Sequence, residues 1–294
     1  MKLAHRLAML TAAATCVLIV FGGLVTNTGA ALAVPDWPTT FGHNMFAFPW
    51  SGMVGGVFYE HSHRLLGALV GALTVALAVA LWGRGGRLRV LGVVAVVAVV
   101  VQGIVGGLRV VLQTDALAVI HGPLAQAFFA LLVALAVVTS ARMTRAVSAV
   151  DGPTRALTLA AALLVYAQIV FGALLTHAGR IDLHLIGAVG VFGLVPVVTA
   201  RWRRTADPVA TPAARLLLVL LGVQFLLGVG AYLARLSPLW IPGGQLTMLA
   251  VPVAHRLVGG LILAAAVVLA VRVLSGARPA PSASATRALG VATR

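Results

Sequence analysis

"HSHRLLGALVGALTVALAVALW" (residues 61–82) decides the fold. After a histidine-rich opening it carries no charge from Leu65 to Trp82. As a helix rising about 1.5 Å per residue it reaches roughly 33 Å, enough to cross about 30 Å of bilayer hydrocarbon. Seven similar runs flank it, at 8–26, 88–107, 117–140, 155–175, 181–200, 213–233 and 247–274. The 294-residue chain is 61% hydrophobic and 9% charged, with a mean hydropathy of +1.07. A soluble domain carries about 25% charged residues. The runs do not alternate in polarity over about ten residues, as membrane barrel strands do. The expected fold is an all-α integral membrane protein with eight transmembrane helices.

The first run resembles a leader peptide, with Lys2 and Arg6 ahead of it and Ala31-Leu32-Ala33 behind. Its apolar core exceeds the roughly 7–15 residues of a leader. The small-residue triplet also lies beyond the polar Thr26-Asn27-Thr28-Gly29. A retained first helix is expected. The N-terminus, the loops 83–89, 141–155 and 201–215, and the C-terminal end from Arg272 onward hold 16 of the 21 Lys and Arg. Basic short loops stay cytoplasmic, which predicts both termini inside. The +15 charge then reports topology and anionic headgroups. Its spread over short loops argues against nucleic-acid binding.

The other five basic residues, Arg64, Arg109, Arg180, Arg235 and Arg256, fall at the outer helix ends. Asp36, Glu60, Asp115 and Asp182 lie on the same side. Single arginines there snorkel to headgroups, but five at comparable positions form a set. Four histidines, His63, His121, His184 and His255, open the even-numbered helices about a turn inside that surface, and a glycine follows each within about a turn. On the odd helices Gln102, Gln168 and Gln224 each precede a glycine by four residues. The first helix keeps Gly22-Gly23 without the glutamine. The chain thus reads as two four-helix halves, 1–145 and 146–276, joined through the Arg142–Arg155 loop, with a disordered Ala-, Ser-, Pro- and Arg-rich tail at 277–294.

Paired neutral imidazoles inside a helical bundle, with cations at the rim, suit haem. Imidazole is a common axial ligand of haem iron, and bundles build cofactor sites from facing helices. The nearby glycines leave room for a flat macrocycle. Its propionates would turn toward Arg64, Arg109, Arg180, Arg235 and Arg256, because charge is costly in hydrocarbon. A zinc site lacks its signature, with no HExxH and one cysteine, Cys16, in mid-helix.

The stretches "GGLVTNTGAALAVPDWPTT", "YEHSHRLLGALVG", "GGLRVVLQTDALAVIHGPLAQ", "FGALLTHAGRIDLHLIGA" and "AHRLVGG" carry a resemblance to the haem A synthase family of bacterial membrane enzymes. The resemblance implies oxidation of a ring methyl of haem O to a formyl group by successive hydroxylations, giving haem A for terminal oxidases. It implies that His184 and His255 bind a haem b cofactor in the C-terminal half. His63 and His121 would bind the substrate haem in the N-terminal half, with Glu60 catalytic. The location implied is the bacterial plasma membrane. Candidate partners are the haem O-producing enzyme, an electron donor and a second copy of the chain.

The residues agree on Glu60. It precedes His63 by three, so both share a helix face, and a carboxylate there suits proton transfer. A purely structural Glu60, orienting His63 or pairing with Arg64, remains the alternative. His61 is expected at the membrane interface. Residues 27–60 lack the cysteine pair some relatives carry in the first outer loop, which argues against a thiol relay. Trp37 and Trp50 there suit an aromatic lid or interfacial anchors. The rival function is a di-haem electron-transfer protein linked to quinone, which would retain two haems unaltered. Transport fits least, because the charges lie at one membrane edge rather than the midplane.

Overall fold

The computed structural model describes residues 2–114, 116–144, 150–239 and 242–276. Asp115 and the tail 277–294 lie outside them. Eight α-helices follow in order: α1 (Lys2–Asn27), α2 (Gly55–Trp82), α3 (Gly86–Leu112), α4 (Ala116–Thr139), α5 (Gly152–Ala178), α6 (Ile181–Arg203), α7 (Ala210–Leu236) and α8 (Gly244–Ser275). All eight are long and apolar enough to cross a membrane. Every predicted run lies on its own helix to within a residue, and most helices extend beyond it by several residues. Helical hydrogen bonding continues past the apolar stretch because the backbone gains from it wherever no breaker intervenes. The breakers are identifiable. Asp151 caps α5, its Oδ1 accepting the Thr154 N–H at 2.9 Å, and Pro153 follows in the first turn. Gly179 ends α5 in the left-handed region at φ 67°, where a β-carbon would be strained.

Outward faces are apolar as well as inward ones. Val79, Leu163, Ile186, Val189 and Leu226 are exposed mid-helix, which a bilayer tolerates and water does not. The protein is therefore a multi-pass membrane protein.

The inward residues gather in two apolar clusters. One joins Ala4 and Ala8 of α1, Val70, Leu77 and Leu81 of α2, Ala95 of α3, and Phe128, Leu132 and Leu135 of α4. The other joins Val165 of α5, Val195 and Trp202 of α6, Leu217 and Leu221 of α7, and Leu263 and Leu269 of α8. Each sequential helix packs on the next, α1 closes on α4, and α5 closes on α8. The two groups of four meet through α4 with α5 and through α8 with α1 and α4. At that seam Gln126 of α4 lies against Gly260 of α8, where a β-carbon would come within 2.5 Å of its Oε1.

Arg272 departs from its expected place. The sequence groups it with the basic C-terminal end, yet it occupies the last turn of α8, fully buried. Its Nε donates to both carboxylate oxygens of Asp207 at 3.1 Å. Asp207 also accepts the Val209 and Ala210 N–H groups at 2.9 Å and so caps α7. A charge can be buried here because a paired carboxylate receives it. Sequence distance, 65 residues, hid the pair.

Candidate functional site

Four imidazoles meet in two pairs. His63 of α2 faces His121 of α4 with ring centres 6.4 Å apart and planes inclined at 64°. His184 of α6 faces His255 of α8 at 6.2 Å and 67°. The repetition comes from the backbone, since each ring lays its Cε1 edge on a glycine of the preceding helix. A β-carbon on Gly22 would sit 3.2 Å from His63 Cε1, and one on Gly106 2.9 Å from His121. On Gly172 it would sit 3.4 Å from His184, and on Gly228 3.1 Å from His255. Glycine permits this close approach, most tightly at Gly106, and is not needed here for its conformation.

The glutamines of the repeated motif reach the same rings. Gln102 Nε2 lies 3.1 Å from His121 Nε2, Gln168 Nε2 3.2 Å from His184 Nδ1, and Gln224 Nε2 3.3 Å from His255 Nε2. The glycines that follow the histidines divide between the pairs. Gly67 and Gly122 face open space, whereas a β-carbon on Gly187 would strike the Gln168 side chain and one on Gly259 would touch Gln224. The sequence reading left these glycines for the macrocycle; those of the second pair seat glutamines instead.

The separation can be tested against haem ligation. A ring centre stands roughly 1.1 Å from its nitrogens and a metal–imidazole bond is about 2.0–2.1 Å. Two imidazoles on opposite faces of one iron therefore put their ring centres roughly 6 Å apart. Both pairs match that spacing. Among the described residues no three His, Cys, Asp or Glu side chains cluster as a bare ion would require. The donor set thus fits a group that brings its own equatorial ligands, as haem does.

Glu60 and Arg64, one turn apart on α2, face the loop between α1 and α2. Glu60 is 5% exposed. Its Oε2 accepts the Val34 N–H at 3.0 Å, and its Oε1 receives Arg64 at 2.7 Å. The same guanidinium donates to the carbonyls of Asp36 (2.7 Å), Thr39 (2.9 Å) and Val34 (3.1 Å). Arg64 is thus engaged by loop carbonyls rather than standing open at a rim. Inside the loop, Asp36 accepts the N–H groups of Phe41 at 2.7 Å and Gly42 at 2.8 Å, and the Thr39 hydroxyl. Slight desolvation opposes the effect, but these hydrogen bonds hold its carboxyl down to about 2.

His61 corrects an expectation. It is 1% exposed rather than interfacial, with Nδ1 3.1 Å from the Thr40 hydroxyl and its ring 5.0 Å from Phe48. The folded loop supplies both partners and so covers it. The two tryptophans separate likewise. Trp37 lies so close on Gly107 of α3 that a β-carbon there would overlap its ring, whereas Trp50 is 81% exposed.

The remaining arginines of the set differ in their partners. Arg180 pairs with Asp182 at 2.7 Å, both about half exposed. Arg235 donates to the Asn27 side chain at 3.0 Å, and Arg256 reaches the Thr176 hydroxyl at 3.5 Å. Arg235 and Arg256 lie within electrostatic reach of each other. Two neighbouring cations with neutral partners favour an anion between them. Arg109 lies within electrostatic reach of both His63 and His121.

Fold and site define a polytopic helical membrane protein with two facing, half-buried imidazole pairs. The chain belongs to the COX15-CtaA family of cytochrome oxidase assembly proteins, matching it over residues 5–181. It is 32% identical over 121 residues to "Heme A synthase" of Shouchella clausii (strain KSM-K16), covering 40% of this chain and 39% of that protein. It is 30% identical over 118 residues to "Heme A synthase" of Alkalihalophilus pseudofirmus, covering 38% of each. The matched stretch thus spans about two fifths of the length of these relatives. The family match ends at Ile181, ahead of His184 and His255.

Proposed function

We propose that this protein is a haem A synthase of the bacterial plasma membrane, oxidising a ring methyl of haem O to a formyl group. The observation that carries the reading is the repeated imidazole pair at 6.2–6.4 Å, in a chain whose relatives are named heme A synthase. In this reading residues 1–145 hold the substrate haem between His63 and His121. Residues 146–276 hold a haem b cofactor between His184 and His255. Both termini face the cytoplasm, on the basic side. Iron held in the first pocket supplies the oxidising chemistry at the ring methyl.

The chain's own residues orient the substrate and handle protons. Gly67 and Gly122 leave open space beside the first pair, which suits a substrate that must enter and leave. Arg235 and Arg256 take propionates at the second pocket, with Arg180 at its edge, and Arg109 serves the first. Arg64 acts differently: it and the Val34 N–H fix the Glu60 carboxylate, and the loop segment 34–39 with it, above α2. Glu60, one turn from His63, then accepts or returns a proton at a carboxylate oxygen when the methyl is oxidised. Trp37, seated on Gly107 beside the glycine that carries His121, excludes water from that end. The hydroxylations would need an external oxidant that supplies the oxygen atom or takes the electrons leaving the methyl group, with any further electrons from a separate donor. The haem O-producing enzyme is the natural neighbour in the membrane.

The test is haem composition, measured by chromatography, in cells that make haem O and express the protein. Haem A should appear only with the protein present. Two retained haems with haem O unaltered would replace this reading with an electron-transfer protein.

A further inference from the structure

The repeat that pairs the imidazoles also places unlike residues at equivalent positions farther along the helices. Eight residues after its histidine, α2 has Gly71 where α6 has Phe192. Three residues before the glycine that seats a ring, α3 has Gly103 where α7 has Phe225. In the second half the two phenylalanines meet across the α6–α7 gap, with ring centres 5.8 Å apart and planes inclined at 75°. In the first half a β-carbon on either glycine would meet no neighbouring atom within 4 Å.

Both glycines nevertheless point at the partner helix. Helices α2 and α3 touch at Ala78 and Gly92, where a β-carbon on Gly92 would lie 3.2 Å from the Ala78 main chain. Gly71 is seven residues from Ala78 and Gly103 eleven from Gly92. Those separations are about two and three whole turns, so each glycine shares the contact face of its helix. Glycine in a membrane helix ordinarily lets a neighbour pack closely. Here no neighbour arrives, because the helices touch at one level and stand apart at another. One turn beyond Gly71 the same row of α2 reaches Val75. With Ala78, Val79, Val93, Val96 and Val97 it lines an apolar groove of about 570 Å³ between the two helices. Helix α3 packs on both α2 and α4, so the gap opens beside the His63–His121 pair.

We propose that this gap seats the isoprenoid side chain of the substrate haem, and that Gly71 and Gly103 admit a haem bearing such a chain where Phe192 and Phe225 refuse it. This rests on the haem A synthase reading above and deepens it. Haem O carries a long isoprenoid chain on its ring that haem b lacks. A chain lying over Gly71 and Gly103 toward Val75 meets only apolar surface. The second pocket, whose gap the phenylalanines fill, takes a haem without the chain. Two equivalent positions thereby sort two haems between two otherwise similar pockets.

The experiment uses purified full-length protein whose second pocket holds haem b, titrated with haem O or with haem b in separate samples. Unbound haem is removed, and bound haem is identified and counted by chromatography. Wild type should bind one further haem of either kind, haem O at least as tightly as haem b. Gly71→Phe with Gly103→Phe should keep the haem at His184 and His255 and still take haem b in the first pocket. Its haem O affinity should fall by about tenfold or more, as overpacking an occupied gap does. Phe192→Gly with Phe225→Gly should bind haem O in its second pocket, which wild type does not. Undiminished haem O affinity in the first variant overturns the proposal, and so does an equal loss of both haems from the first pocket. Where that variant does not fold, the second variant decides: full haem b content with haem O still excluded from its second pocket overturns the proposal. Protein that binds no haem, or binds haem b and never haem O, removes the haem A synthase reading and this inference with it. Haem O bound by wild type with the wrong variant pattern removes the inference alone.

Discussion

The two imidazole pairs share ring separation, ring inclination and glycine seats, yet their surroundings differ. Around His184 and His255 the space is filled: Gln168 lies on Gly187, Gln224 approaches Gly259, and both amides touch rings. Around His63 and His121 it is open at Gly67 and Gly122, one ring lacks an amide, and a structured loop lies above. Helices α1–α4 and α5–α8 thus repeat a scaffold with different surroundings at its two imidazole pairs. A pair hemmed in by glutamine side chains suits a cofactor that stays. An open, unevenly supported pair under a loop suits a substrate that is changed and released.

The largest effect expected from breaking this contrast is at Glu60, which has no counterpart in the second half. Glu60→Gln should lower haem A formed per bound haem by about 10²–10⁴-fold, the range for losing a general acid–base group. Haem at His184 and His255 should remain, because its ligands are on other helices. Near-normal haem A would leave Glu60 with only its loop contacts.

Ligand removal should be next. His255→Ala or His184→Ala should lose the retained haem, about half the total where both pockets are filled, with its absorption bands. His63→Ala should leave that haem in place. Equal losses from both halves would erase the distinction between cofactor and substrate pockets.

Arginines should separate by location. Arg256→Ala with Arg235→Ala should weaken retention of the C-terminal haem several-fold in a dilution assay, since charge-assisted bonds to an anion are lost. Arg64→Ala should act on the loop instead, where removing one member of a buried pair costs about 3–5 kcal/mol. The readout is faster hydrogen exchange at Val34 and its neighbours. Arg203→Ala, at the opposite membrane edge, should change neither property.

The smallest effect concerns pH. Asp36 has its carboxyl lowered from an ordinary 3.8 to about 2. A depressed carboxyl stabilises the loop fully above its unfolded value, and that contribution fades as pH falls from about 4 toward 2. Exchange protection of the Phe41 and Gly42 amides should hold down to about pH 4 and fall below it, with Asp36→Asn abolishing the dependence.

The sequence by itself determined eight membrane helices, because apolar length and helical rise need no knowledge of neighbours. It also marked His63, His121, His184 and His255, through their recurrence about a turn inside the even-numbered helices with a glycine following within about a turn. What it left undecided was contact. The alternatives for Glu60 turned on whether Arg64 sat beside it, and a loop 25–30 residues away supplied the remaining partners of both. His61 was read as interfacial because a histidine at a helix start usually is. It is buried because Thr40 and Phe48 fold back over it, which no local pattern records. Arg272 read as one more tail cation until Asp207, 65 residues away, paired with it. Periodicity along one helix is set by its own residues, so the sequence carries it. The pairing of charges, and which glutamine meets which ring, depend on how helices far apart in sequence are brought together, so only the tertiary structure decided them.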